Sequence, residues 1–282
     1  MSYHGIDVSE FQGTINWKKV ADNGIDFAMV RCGFDGYQDP YWKQNVNSAK
    51  TNGLNVGAYW FMYFTNENEA IDNANQFINE LRKFDGMIDY PVALDVEEDT
   101  YRYMRQMKVQ PTKSLITKLV KTFCKKVEQA GYYVMVYTNL NGLNNYLNDI
   151  SEFDIWLAQT EVNKPARNCG IWQYSFNGII NGINGRVDLD ISYLNYPRIL
   201  KENNLNHLDN TPIQEKPKET VKQNIKVGDK VIVTNPIIYG TNKRFTLWYK
   251  DYNIMEISGN RVVIGKGNIV TAPIDIKYLR KV

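Results

Sequence analysis

Eight short runs rich in apolar, β-branched and aromatic residues recur through the first 196 positions, and their spacing constrains the fold more than any other feature. They are "YHGIDVS", "IDFAMVRCG", "LNVGAYWFMY", "YPVALDVE", "YYVMVYTN", "FDIWLAQT", "CGIWQYS" and "GRVDLDIS", each bounded by Gly, Pro, Asn or Asp, which marks them as strands. Helical patterns lie between the early ones. After Thr112, the residues Leu115, Ile116, Leu119, Phe123, Val127 and Ala130 recur at three- and four-residue spacings, and Gly131 supplies a stop. Asn66, with Glu69 three residues on, caps a second pattern through Ala70, Ala74, Phe77, Ile78, Leu81 and Phe84. Shorter stretches, Trp17 to Ala21 and Trp42 to Ala49, stop at Gly24 and Gly53. Strands alternating with helices predict parallel βαβ units, and eight of them in about 190 residues predict closure. The last three connections are too short or too polar for full crossover helices. The expected fold class is therefore α/β, an irregular eight-stranded TIM-like (β/α) barrel with roughly five βα units and final strands free to run antiparallel.

The chain then changes character. A barrel domain over 1–200 is followed by 201–224, where "NNLNHLDNTPIQEKPKETVKQN" from Asn203 onward has few apolar residues and two prolines, as an exposed linker does. Over 225–282 the segments "VGDKVIV", "RFTLWY", "YNIMEISGNRVVIG" and "PIDIKYLRKV" predict short strands, and Ser258-Gly259-Asn260 predicts a hairpin turn. These 58 residues suffice for a compact all-β domain. Residues 1–200 carry a formal charge of −4 and residues 225–282 one of +6, which separates the two parts functionally.

Several function classes are disfavoured. With 43% hydrophobic and 23% charged residues the chain buries a real core. It has no run of membrane-spanning length, and "MSYHGIDVSE" lacks the basic start and apolar stretch of a secretory signal. Cys32, Cys124 and Cys169 show no CxxC spacing, so three reduced, largely buried thiols are expected rather than a disulfide or zinc framework. His4 and His207 are the only histidines, which argues against a Ser-His-Asp or Cys-His centre and against a histidine-rich metal site. No cofactor is implied.

Carboxylates are the remaining chemistry. In "YPVALDVEED", strand alternation places Asp95 and Glu97 on one face, with Cα atoms roughly 6.5–7 Å apart, and Val96 and Glu98 on the other. Functional groups of such a barrel gather at the C-terminal ends of its strands, where Asp95 and Glu97 fall. Asp7 ends the first candidate strand and Asp188 lies in the last, so four acids can meet at one mouth. Glu98 and Asp99 read as solvated loop residues. Two carboxyls in unlike surroundings suit glycoside hydrolysis, one protonating the leaving oxygen and one stabilising positive charge at the sugar. Tyr59, Trp60, Tyr63, Tyr137, Trp156, Trp172 and Tyr174 lie on or beside these strands and offer faces on which sugars can rest, or are simply core.

The ordered blocks "GIDVSEFQG", "FAMVRCGF", "VGAYWFMY", "ALDVE", "VMVYTN", "IWLAQ", "IWQYS" and "VDLDIS" resemble family-25 glycoside hydrolases, the lysozymes or N-acetylmuramidases common among bacteriophage endolysins. The resemblance covers about residues 3–196. It implies an eight-stranded barrel whose last strands lack full helices, and cleavage of the β-1,4 bond between N-acetylmuramic acid and N-acetylglucosamine in peptidoglycan. Carried onto this chain, it implies Glu97 as general acid and Asp95 as the group supporting the cationic centre, by direct attack or by assisting the substrate's own N-acetyl oxygen. Asp7 and Asp188 match the other two acidic positions, implied to bond the N-acetyl group and tune their neighbours. Asp188 is taken over Asp190 on motif register. Tyr59, Tyr137 and Gln173 match positions near the substrate.

The stretch from "IKVGDKV" to "YLRKV" resembles small SH3-like cell-wall-binding modules of endolysins. A basic surface with Tyr239, Trp248, Tyr249 and Tyr252 suits an anionic wall polymer or the glycan-peptide mesh, while no zinc, RNP-like or helix-turn-helix pattern supports nucleic acid. Trp248 as plain core is the simpler alternative. Two other readings of the whole chain stay open: a catalytically silent carbohydrate-binding barrel, and carboxylates holding Mg²⁺ or Ca²⁺ for a phosphoesterase-like reaction. The family implies cytoplasmic accumulation without a signal peptide and action at the wall after release.

Overall fold

The computed structural model describes residues 2–208, 225–241, 245–267 and 269–282, with backbone alone at Lys277. The chain forms two compact units, residues 1–213 and 214–282.

In the first unit the strands are β1 (Tyr3–Val8), β2 (Phe27–Phe34), β3 (Tyr37–Gln38), β4 (Asn55–Phe61), β5 (Val92–Asp95), β6 (Val134–Asn139), β7 (Asp154–Ala158), β8 (Ile171–Gly178) and β9 (Val187–Ser192). Eight of them close into a barrel in the order β1-β2-β4-β5-β6-β7-β8-β9, and the two-residue β3 only hairpins back onto β2. Neighbours run parallel from β1 round to β8, while β9 is antiparallel to both β8 and β1. Helices α1 (Trp17–Asp22), α2 (Trp42–Thr51), α3 (Glu67–Leu81), α4 (Glu98–Gln106) and α5 (Lys113–Gln129) form the crossovers, and α6 (Tyr196–Glu202) follows β9. Four crossovers carry α-helices, one fewer than expected, because the fifth connection has only the π-helical turn Gly142–Tyr146. The α4 helix was hidden in the sequence because its buried face holds just Thr100, Tyr101 and Met104 on an otherwise charged surface. Glu98 and Asp99, expected in a loop, are its first two residues.

Strand alternation divides the core in two. One set, including Phe27, Met29, Tyr90, Ala93, Met135, Trp156 and Ile171, packs together inside the barrel. The other, including Val30, Val56, Leu94, Phe77, Phe123 and Val136, packs between strands and helices. Inside, Phe27 stacks on Tyr90 with ring centroids 4.3 Å apart. The room for it comes from Gly5, where a Cβ would stand 2.2 Å from the Phe27 ring. Cys32 and Cys124 are buried, Cys169 is half-buried, and none is bridged.

The expected linker 201–224 starts later than its polarity implied. Lys201 and Glu202 complete α6, and Asn206 is fully buried against the barrel. Asn206 adopts φ 57°, accepts from Tyr133 N–H at 2.7 Å and donates to the carbonyls of Tyr90 (2.8 Å) and Ile88 (3.1 Å). A polar run can be buried when each polar group is satisfied. The remainder, 209–224, lies outside the described residues.

The second unit is a five-stranded antiparallel sheet in the order β13-β12-β11-β10-β14, built from β10 (Lys230–Val233), β11 (Tyr252–Ser258), β12 (Arg261–Lys266), β13 (Ile269–Asp275) and β14 (Leu279–Lys281). The β11–β12 hairpin turns at Gly259-Asn260 as expected, with Gly259 at φ 58°. The expected strand in "RFTLWY" does not form: among its described residues Phe245 to Tyr249 lie outside any strand, and Trp248 is 74% exposed. Tyr252, expected at the surface, is instead fully buried core.

Candidate active site

A cavity of about 210 Å³ opens at the C-terminal ends of the parallel strands. Alternation decides what faces it. On β4 and β5 the inward register sets Phe61 beside Asp95, and Asp95 beside Tyr137 on β6. Although β5 ends at Asp95, Val96 N–H still donates to Tyr137 O at 2.9 Å and Glu97 keeps an extended backbone (φ −139°, ψ −168°). The expected alternation therefore carries through: Val96 is buried outward, and Asp95 and Glu97 both line the cavity. Thr100 Oγ1 accepts the Glu97 N–H at 3.3 Å, fixing Glu97 where strand gives way to α4.

Asp7 and Asp188 sit opposite each other on antiparallel β1 and β9, and both line the cavity with Tyr59, Tyr137, Trp156 and Gln173. Gln173 holds the floor in place. Its Nε2 donates to Asp7 Oδ2 at 2.7 Å and reaches Asp188 Oδ2 at 3.5 Å, while its Oε1 accepts the Tyr137 hydroxyl at 2.8 Å. Of the other aromatics, Trp60 turns outward, donating from Nε1 to Asn73 Oδ1 at 2.9 Å and packing on Phe77. Tyr63 lies beyond the end of β4 against Phe61, Phe34 and Tyr103, outside the residues that line the cavity. Trp172 points away from Gln173's side, its Nε1 donating to Gln159 O, and packs on Tyr174. Parity explains Trp60 and Trp172, since odd positions of β4 face in, as does Gln173 on β8, and the residues next to them cannot; Tyr63 has the inward parity but lies past the end of β4 at Phe61.

Burial sets the electrostatics. Glu97 is pushed up to about 7, by desolvation first and then by the charges of Asp99 and Asp188, against a smaller pull from Arg102. Asp95 is also raised, by burial and then by Glu97, with Arg31 opposing. Asp188 rises to about 6 through burial. The two partners of the Asp95–Glu97 pair therefore compete for one proton. Arg31, only 9% exposed, favours the charged form of Asp95, whereas Arg102, 62% exposed, is screened and opposes the rise of Glu97 less.

The structure adds three residues that sequence reasoning did not single out, and brings back Asp190, which that reasoning set aside in favour of Asp188. Arg31 lines the cavity with its guanidinium fixed by Asp39 Oδ2 (2.9 Å) and Glu10 Oε1 (2.6 Å). Phe11, 82% exposed, projects from the 3-10 turn Glu10–Gln12 onto the rim, with the Arg31 guanidinium 5.2 Å from its ring centre. Phe61 lines one wall. Asp190 lies fully buried beneath the mouth. An exposed aromatic inside "DVSEFQG" was the one available signal for Phe11; the others depend on which strands become neighbours. Among the described residues, no group of three His, Cys, Asp or Glu side chains is placed to hold a metal ion, and no helix is long and apolar enough to cross a membrane.

A closed (β/α) barrel with a raised-pKa carboxyl pair at the end of one strand, walled by aromatic rings, is the site of a glycoside hydrolase. The chain belongs to glycosyl hydrolases family 25, whose model matches residues 6–183. It is 34% identical over 199 residues to the uncharacterized protein YegX of Escherichia coli K12, covering 67% of this chain and 68% of that one. To the autolytic lysozyme of Clostridium acetobutylicum it is 28% identical, covering 66% of this chain and 54% of the relative. The structure of the modular autolysin LytC from Streptococcus pneumoniae, solved in complex with a synthetic peptidoglycan ligand, matches with a TM-score of 0.62 at 30% identity. That match covers 68% of this chain and 47% of LytC, so the likeness spans about half of that protein.

Proposed function

We propose that this chain is an endolysin-type muramidase that hydrolyses the β-1,4 bond between N-acetylmuramic acid and N-acetylglucosamine in bacterial peptidoglycan. The observation that carries the reading is the convergence of Asp95 and Glu97 on one walled cavity, with Glu97 raised to about 7. Glu97, protonated near neutral pH, gives its proton to the glycosidic oxygen as the bond breaks. Asp95, whose charged form Arg31 favours, stabilises the positive charge that develops at the sugar. Asp7 and Asp188 accept hydrogen bonds from the substrate's polar groups, and Tyr59, Tyr137, Trp156 and Tyr63 shape the approach. The product analysis is decisive: after digestion of purified walls, mass spectrometry should find N-acetylmuramic acid at the new reducing ends. Walls left uncut would favour the silent carbohydrate-binding alternative, and N-acetylglucosamine ends would give a different glycosidase.

The second unit fits an SH3-like wall-binding role. The N–H groups of Trp248 and Tyr249 both donate to the hydroxyl of buried Tyr252, at 2.9 and 3.2 Å, so the turn displaying the exposed Trp248 is built in advance. Lys266 stands 5.8 Å from the Tyr249 ring centre. With a net charge of +6 over residues 225–282, this display suits anionic wall polymers or the peptidoglycan mesh. Delivery to the wall from the cytoplasm after release completes the endolysin reading.

Two measurements probe the mouth. Replacing Phe11 with Ala should raise KM and lower kcat/KM roughly 5-fold, about 1 kcal/mol for a sugar face lost from one ring, while the melting temperature stays unchanged. An unaltered KM would remove Phe11 from the binding surface. Wild-type kcat/KM should fall as pH rises through about 7, because Glu97 then loses the proton it must donate. Asp99→Asn should move that fall to lower pH, since Asp99 raises Glu97 and its loss also frees Arg102, now 2.6 Å from Asp99. An alkaline limb that stays in place would mean another group controls it.

A further inference from the structure

Asp190 takes no part in lining the cavity, yet it is a fully buried acid directly under it. Trp156 Nε1 donates to its Oδ1 at 2.7 Å. Its Oδ2 receives no N–H or O–H from any described residue. Its neighbour is a second carboxyl, that of Asp7: Asp190 pairs with Gly5 on β1, two residues before Asp7 on the same face, and with Gln173 on β8, whose Nε2 donates to Asp7 Oδ2. Asp7 Oδ2 is already taken by Gln173, and Gln173 by the Tyr137 hydroxyl, so the surrounding donors are committed elsewhere. Two ionised carboxylates side by side, one of them wholly shut from water, repel strongly, and no cation bonded to either offsets that among the described residues. Asp188 on β9 adds negative charge, and Asp95 and Glu97 at the end of β5 are acids that bring no positive charge. Arg31 on β2, the one cation lining the cavity among the described residues, is bonded to Asp39 and Glu10. Burial raises both members of the pair, Asp190 to about 8.

We propose that Asp7 and Asp190 share a single proton, which bonds the two carboxyls together and makes Asp190 the positioning residue that aims Asp7 at the substrate. The floor of the mouth then carries one negative charge rather than two. The part given to Asp7 rests on the hydrolase reading above; the shared proton does not.

An asparagine at 190 reproduces the arrangement, its carbonyl accepting from Trp156 and its amide donating to an ionised Asp7, with the net charge unchanged. A leucine cannot. Asp190→Leu should therefore lower kcat/KM about 100-fold, chiefly through kcat, whereas Asp190→Asn should recover to within roughly 5-fold of wild type with its alkaline limb still near pH 7. Equal damage from both variants, or a limb shifted to lower pH in Asp190→Asn, overturns the proposal. Carboxyl ¹³C NMR of the full chain, labelled at aspartate, reads the proton directly and needs no activity. One proton held by the pair at pH 7 is expected; two or none overturns the proposal even if Asp190→Leu does not fold. A pair with one proton in a chain that leaves walls intact would instead leave the proposal standing and sink the hydrolase reading.

Discussion

Glu97→Gln is expected to lower kcat on peptidoglycan by about 10³-fold or more while leaving sedimentation of the protein with intact walls unchanged. Glutamine keeps the size and hydrogen-bonding reach of the side chain and loses only the proton that the leaving oxygen needs. The Thr100 contact that fixes Glu97 is made through its backbone N–H, so it survives the substitution. Wall binding is assigned to the second unit, whose exposed Trp248 and basic surface are untouched. Retention of full lytic activity would remove Glu97 as the acid and, with it, the mechanism built on the Asp95–Glu97 pair. Loss of both activity and wall binding would show that the barrel itself supplies most of the affinity.

The same buried acids should make the barrel less stable as pH rises. Asp7, Asp95, Glu97, Asp188 and Asp190 all bind a proton more tightly when folded than an ordinary aspartate or glutamate does. Between about pH 4 and pH 8 the unfolded chain gives up these protons first and the folded chain keeps them. More protons bound in the folded state means unfolding free energy that declines with pH, through the folded values of about 7 for Glu97 and about 8 for Asp190. The loss should be on the order of a few kcal/mol, read as a lower denaturant midpoint at pH 8 than at pH 5. Glu97→Gln should recover part of it, being closer to or above wild type at pH 8 and not at pH 5. A midpoint that rises or stays flat over this range would show that these carboxyls are solvated in the folded protein. With the expected decline, the inactive variant is the more stable protein at alkaline pH, because a site that holds like charges together is destabilising.

Much of this was legible in one dimension. All eight barrel strands fall on the eight apolar runs, since a strand buried on both faces must be apolar nearly throughout. Capped helices were equally plain: Asn66 and Thr112 do accept from the backbone of Glu69 and Leu115. Where signals were weak, the reading failed for identifiable reasons. Helix α4 presents too few apolar positions to show a period, Asn206 hides a buried site behind a polar side chain, and "RFTLWY" has the composition of a strand but leaves Trp248 in solvent.

Strand alternation alone narrowed "YPVALDVEED" to Asp95 and Glu97, because side chains two apart must share a face whatever the rest of the chain does. The sequence likewise determined the barrel, through the count and spacing of its strands. It could not reveal the burial of Asp190, the place of Arg31 in the cavity wall or the inward turn of Trp156 rather than Trp60. Those depend on barrel closure, which brings β9 against β1 and sets Asp188 opposite Asp7, residues far apart in the chain. Tertiary structure decided the charges as well: a carboxyl's affinity for its proton depends on how much water and which other charges surround it, and neither is a property of its neighbours in sequence.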